Sequence, residues 1–157
     1  MPEESYLTRD GAKRFREELE HLKTTVRRQL SERLRFAIQQ GDLSENADYH
    51  KAKEDQSFLE GRINELEHIL QDVVIIEDLK RKPDIVSIGS TITVLFDGED
   101  DEETYWLVGP AEANPNEGLI SFESPLGEAL MHHHSGDDVE IELPNGLKSK
   151  IKIIKIQ

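Results

Sequence analysis

Gly41-Asp42-Leu43-Ser44-Glu45-Asn46-Ala47-Asp48-Tyr49-His50 separates two long stretches of helical periodicity. Upstream, Phe15, Leu19, Leu22, Val26, Leu30, Leu34, Ala37 and Ile38 recur at helical spacing and form one apolar seam. Downstream, Ala52, Leu59, Ile63, Leu66, Leu70 and Val73 repeat it. Two such seams joined by a short turn bury each other by folding back, so the spacing predicts an antiparallel coiled coil. Thr8 is placed to cap a first arm running from Arg9 to about Gln40. An arm of about 30 residues spans about 45 Å. The second arm is expected from about Ser44 to Glu77. The quoted stretch is then the tip of a long hairpin.

The turn has its own chemistry. Gly41 suits the left-handed position that ends a helix. Asp42 is placed to cap the second arm, with Glu45 three residues on to complete a capping box. The same two carboxylates read in a second way. A hard cation such as Mg²⁺ takes oxygen ligands and is often held by one or two protein carboxylates, with phosphates and water completing its shell. Two carboxylates are too few for a dedicated site but enough to complete one that a partner begins. Arg27, Arg28, Arg33, Arg35, Lys51 and Lys53 gather toward the distal half of the arms. They read either as a solvated face with intrahelical pairs or as a small basic patch.

The period changes after the helices. Leu79-Lys80-Arg81-Lys82-Pro83 reads as a linker ending in proline. It divides a helical domain at 1–78 from a β-rich domain at 84–157. Ser90 to Phe96 and Thr104 to Val108 read as paired strands around an acidic turn, Asp97 to Glu103, which lacks the ligand spacing of an EF-hand. Ile120 to Phe122 is a third strand and Leu126 to Met131 a short helix. Val139 to Leu143 and Leu147 to Ile156 flank Asn145-Gly146, a strong hairpin signal. Lys148, Lys150 and Lys152 alternate with apolar neighbours, as on a strand with one exposed face. His132-His133-His134 lack the spacing of a zinc site. The expected fold class is therefore α+β.

Composition narrows the function. Of 157 residues, 36% are hydrophobic and 33% charged, none is cysteine, and the net charge is −14. Free nucleic acid is repelled by such a chain overall. Residues 1–78 hold 12 Lys/Arg against 18 Asp/Glu, and residues 79–157 hold 7 against 15. The start, Met1-Pro2-Glu3-Glu4-Ser5, is polar and acidic and reads as neither secretory signal nor membrane span. A cytoplasmic protein without membrane association is expected.

The tip run, with Ala52-Lys53-Glu54 and Glu60-Gly61-Arg62-Ile63 after it, closely resembles the tip and second helix of the Gre family of bacterial transcript-cleavage factors, its GreA branch more than its GreB branch. Gly89-Ser90-Thr91, Leu119-Ile120-Ser121, Ser124-Pro125-Leu126-Gly127-Glu128-Ala129-Leu130 and Gly136-Asp137-Asp138-Val139 resemble the family's C-terminal domain, so the resemblance covers nearly the whole chain. His132-His133-His134 depart from it, since the family usually has mixed charged residues there. The resemblance implies an FKBP-like second domain that docks on the rim of the RNA polymerase secondary channel, and a coiled coil that enters the channel. Asp42 and Glu45 would help hold Mg²⁺ at the polymerase active site, with no cofactor of the chain's own. The reaction, cleavage of backtracked RNA, would belong to the polymerase. Tyr49 and His50 would orient the tip or touch RNA. Arg33, Arg35, Lys51 and Lys53 would touch the displaced RNA 3′ end. The free protein is expected to be a monomer. Two rivals differ in class: a prolyl isomerase, for which residues 84–157 offer only Phe96, Tyr105, Trp106 and Phe122 as aromatic residues, and an inhibitory paralogue that occupies the channel without cleavage, against which the Gly41-Asp42-Leu43 and Glu45-Asn46 run argues.

Overall fold

Thr8 starts the first arm as expected: its Oγ1 accepts the Gly11 N–H at 2.9 Å. The carboxylate of Glu112 accepts the Thr8 N–H and hydroxyl, both at 2.7 Å. The arm comprises α1 (Arg9–His21), a π-helical turn (Leu22–Val26) and α2 (Arg27–Gln39), and α3 (Ala47–Ile69) is the second arm. The structure is a computed structural model that describes residues 3–157; Met1 and Pro2, part of the polar start, lie outside the described residues. The chain divides into a unit centred on Ala12–Val73 and one made of Glu4–Gly11 with Val74–Gln157.

In the helical unit the seam closes as its spacing requires. Leu30, Ala52, Leu59 and Ile63 are buried together, with Leu19, Leu22, Val26 and Leu34 packed against them. Arg27 reaches across to Glu60 with two hydrogen bonds, at 2.9 and 2.8 Å. Arg62 reaches Glu18 in the same way, at 2.8 and 3.1 Å. Such solvent-exposed pairs contribute little to stability. A buried Leu or Ile contributes about 1.5–3 kcal/mol. The seam therefore supplies the stability, and the ion pairs reinforce its antiparallel register.

The second arm is shorter than expected. It ends at Ile69, not Glu77, and Val73–Ile75 is strand β2, paired with β1 (Ser5–Leu7) in a two-stranded sheet. β-Branched residues lose side-chain freedom in a helix and favour strands. Once β1 offers a ladder, the run Val73-Val74-Ile75 takes it.

The second unit carries a five-stranded mixed sheet in the order β5-β4-β3-β7-β6. Its strands are β3 (Thr91–Phe96), β4 (Glu103–Val108), β5 (Leu119–Ser121), β6 (Asp138–Glu142) and β7 (Lys148–Ile156). The β6–β7 hairpin forms, with Glu142, Glu140 and Asp138 opposite Lys148, Lys150 and Lys152. The inner face of β7 places Ile151 and Ile153 in a core with Val86, Ile92, Val94, Leu107, Ile120, Leu130 and Val139. β5 joins β4 in parallel, a pairing that the sequence did not announce.

The short helix α4 (Pro125–Leu130) is capped by Ser124, whose Oγ accepts the Gly127 N–H at 3.1 Å. Gly127 is needed for close approach: a Cβ there would lie 2.0 Å from the Ser121 carbonyl oxygen. Gly61, inside α3, would meet nothing within 4 Å. Opposite effects are expected in chemical denaturation. Gly127→Ala should lose about 3 kcal/mol through overpacking, and Gly61→Ala should gain about 0.5–1 kcal/mol through helix propensity. A stable Gly127→Ala protein would contradict the packing described here.

Candidate functional site at the hairpin tip

α2 runs out at Gln39, and the Gln40 N–H bonds the Ala37 carbonyl at 3.2 Å. Gly41 then turns the chain at φ +124°, a region that glycine enters without a Cβ penalty. Asp42 Oδ1 accepts the Ser44 N–H at 3.0 Å and the Ser44 hydroxyl at 2.9 Å. This caps a single 3₁₀ turn, Leu43–Glu45.

The residue that caps the long second helix is Asn46, not Asp42. Asn46 Oδ1 accepts the Tyr49 N–H at 3.0 Å. Asn46 Nδ2 donates to the Ala37 carbonyl at 2.7 Å. The expected capping box is displaced for a geometric reason: the inserted 3₁₀ turn separates Asp42 from the first free N–H groups of α3.

The site is open and acidic. Asp42, Glu45 and Asp48 line one concavity with Gln40, Asn46 and Ala47. The Ser44 backbone N–H, and secondarily its hydroxyl, hold the Asp42 carboxyl below the usual carboxylate range. Asp42 is therefore ionised at neutral pH. Both hydrogen bonds fall on Oδ1, so the charged group retains an oxygen for a cation. Among the described residues no group of three or more His, Cys, Asp or Glu is arranged to hold a metal.

Tyr49 and His50 follow the loop in the first turn of α3. Their rings meet edge to face at 5.6 Å. His50 Nε2 lies 3.5 Å from the Ser44 carbonyl oxygen. Behind the tip, Asp55 gathers two of the expected cations: Arg33 from the other arm at 3.1 Å and Lys51 at 3.2 Å. Lys51 and then Arg33 lower the Asp55 pKa by hydrogen bonding. Lys53 donates to Gln56 at 3.2 Å, and Arg35 is exposed. Arg33 and Lys51 also line a groove with Phe36, Ala37 and Asp48, where Phe36 is 64% exposed. Sequence reasoning passed over Phe36, Ser44 and Asn46. Asn46 is of a cap-forming type, but Asp42 is as well, and local pattern does not choose between them.

The histidine run lies in the other unit. Val86 N donates to the His133 carbonyl at 2.9 Å and His132 N to the Val86 carbonyl at 3.0 Å. Its backbone is thus paired, and His133 Nδ1 sits 3.1 Å from the Met131 carbonyl oxygen.

The chain is similar to known proteins along nearly its whole length. Residues 5–75 match the family described as transcription elongation factor, N-terminal, and residues 80–157 match transcription elongation factor, GreA/GreB, C-term. The transcription elongation factor GreA of Bacillus licheniformis is 47% identical over 152 residues, covering 96% of this chain and 94% of that protein. The protein of the same name from Clostridium acetobutylicum is 44% identical over 151 residues, covering 96% and 95%. Among solved structures, GreA factor homolog 1 of Thermus thermophilus is 27% identical over 99% of each chain, with a TM-score of 0.44. A two-helix hairpin with an acidic tip, followed by a mixed-sheet unit, is thus the frame of a transcription elongation factor. The chain belongs to the GreA/GreB family.

Asp42 gives a pH test. Because its folded-state pKa is lowered, its contribution to the turn is complete above the unfolded value, about 3.9. It is lost as pH falls through the folded value. Ser44→Ala removes the hydroxyl and leaves the backbone donor, so carboxyl NMR should show the Asp42 pKa rising part of the way to its ordinary value. No change would show that the hydroxyl contributes nothing.

Proposed function

We propose that the hairpin enters the secondary channel of bacterial RNA polymerase and stimulates the polymerase's own cleavage of backtracked RNA, so that elongation resumes. The supporting observation is an ionised Asp42 beside Glu45 in one open concavity at the end of a two-helix arm. Asp42 and Glu45 help hold a Mg²⁺ shared with the polymerase active site. When bound there, the ion stabilises the attacking and leaving oxygens of in-line phosphodiester hydrolysis. Ser44 keeps Asp42 charged for this task. Tyr49 and His50 stiffen the approach to the loop. Arg33, Arg35, Lys51 and Lys53 lie along the path of the displaced RNA 3′ end, where their charge favours phosphates.

The chain contributes ligands and position, and the polymerase contributes the catalytic site. In this reading the five-stranded unit is an FKBP-like module that docks on the channel rim, and α4 packed against β5 and β6 is consistent with that assignment. The free protein acts as a cytoplasmic monomer. Among the described residues no helix is long and apolar enough to cross a membrane.

Asp42→Asn and Glu45→Gln separate the ligand role from the turn role. Asn caps about as well as Asp, so the acceptor for the Ser44 N–H survives while the charge is lost. Both variants should melt within a few degrees of the parent and compete with it for stalled polymerase. Their stimulation of RNA cleavage should fall roughly 10–100-fold, with partial recovery at raised Mg²⁺. Parental cleavage in limiting Mg²⁺ by either variant would remove that residue from the ligand set.

A further inference from the structure

We propose that Asn46 is the positioning residue of the tip, a single amide that sets where Asp42 and Glu45 stand; this rests on the function proposed above. The 3₁₀ turn Leu43–Glu45 has no buried residue, and Asp42 and Glu45 are exposed. Packing therefore does not fix this loop. The Asp42 carboxylate bonds within the turn, to Ser44, and the Ser44 carbonyl meets His50 Nε2 of α3 only at 3.5 Å, a contact at the long limit of a hydrogen bond; neither ties the loop to the first arm.

Asn46 supplies that anchor at both ends. Its Nδ2 donates to the Ala37 carbonyl at 2.7 Å, across nine residues. That carbonyl lies in the last turn of α2, where it also accepts the Gln40 N–H at 3.2 Å; its second lone pair takes the amide. Asn46 Oδ1 accepts the Tyr49 N–H at 3.0 Å, in the first turn of α3, where N–H groups lack an intrahelical partner. One planar group thus joins the end of the first arm to the start of the second, and the segment from Gly41 to Glu45 spans between them. Ser and Asp match Asn as caps, but ionised Asp has no donor, and the one Ser oxygen would have to serve both Tyr49 and Ala37 from a single atom. The amide of Asn, short and carrying donor and acceptor on separate atoms, meets both demands from this position.

The chemistry of Asn46→Asp and Asn46→Ser separates the two bonds. Each keeps an acceptor for the Tyr49 N–H and loses the separate Nδ2 donor that reaches Ala37. One adds a charge and the other does not, so an effect common to both reflects the lost donor. In the intact chain, amide hydrogen exchange should leave Tyr49 protected and accelerate Gln40 and Ser44 by roughly 10-fold in both variants. With stalled elongation complexes, cleavage at saturating protein should fall roughly 10–100-fold. The half-saturating protein concentration should stay at the parental value, because docking is untouched. A residue that served only as a helix cap would leave both the exchange of Gln40 and Ser44 and the cleavage rate unchanged, and that result would overturn the proposal. So would faster exchange with parental cleavage, which would cut the link from anchoring to activity. A parent chain that stimulates no cleavage would overturn the function itself, while exchange at Gln40 and Ser44 would still decide whether Asn46 anchors the loop.

Discussion

One side-chain amide, that of Asn46, closes the hairpin between Ala37 and Tyr49. An exposed loop must hold its shape without a core, and the entropy of closing a short loop grows only slowly with its length. What such a loop lacks is a reason to prefer one conformation. Here the preference comes from the two helix ends, each of which leaves polar backbone groups without intrahelical partners. Bonding one backbone group at each end with the same amide ties the two ends into a single geometric constraint. Gly41 at φ +124° makes the turn sterically possible, and the Asp42–Ser44 bonds shape its interior.

The apolar seam carries that loop at the end of the arms. Leu30, Ala52, Leu59 and Ile63 are buried in a chain of net charge −14, so the arms are held by a narrow stripe while their outer faces remain charged. The distribution of those charges matters more than their sum. Asp42, Glu45 and Asp48 face one concavity, and cations sit behind them. Asp55 already engages Arg33 and Lys51, so a phosphate arriving at that patch would compete with an existing partner. Exposed pairs of this kind are weak, and such competition costs little.

The parts of the fold that depend on local periodicity were legible in the sequence. The seam located both arms, Thr8 announced the first helix, and Asn145-Gly146 located the last hairpin. The parts that depend on a distant partner were not. Val73-Val74-Ile75 could extend a helix or form a strand, and the answer lay in Ser5-Tyr6-Leu7, a strand too short to show a period. The parallel pairing of β4 with β5 is likewise absent from local pattern. At the tip, the pair Asp42 and Glu45 was visible, but the identity of the helix cap was not. The capping-box spacing was satisfied from Asp42, and only the intervening 3₁₀ turn shows that Asn46 takes that role.

The most direct measurement places the whole chain, with Mg²⁺, on a stalled and backtracked bacterial elongation complex and follows the length of the RNA. The account predicts that the transcript shortens from its 3′ end, releases short 3′ fragments, and extends again when nucleotides are added. RNA of unchanged length in complexes to which the protein is demonstrably bound would contradict it.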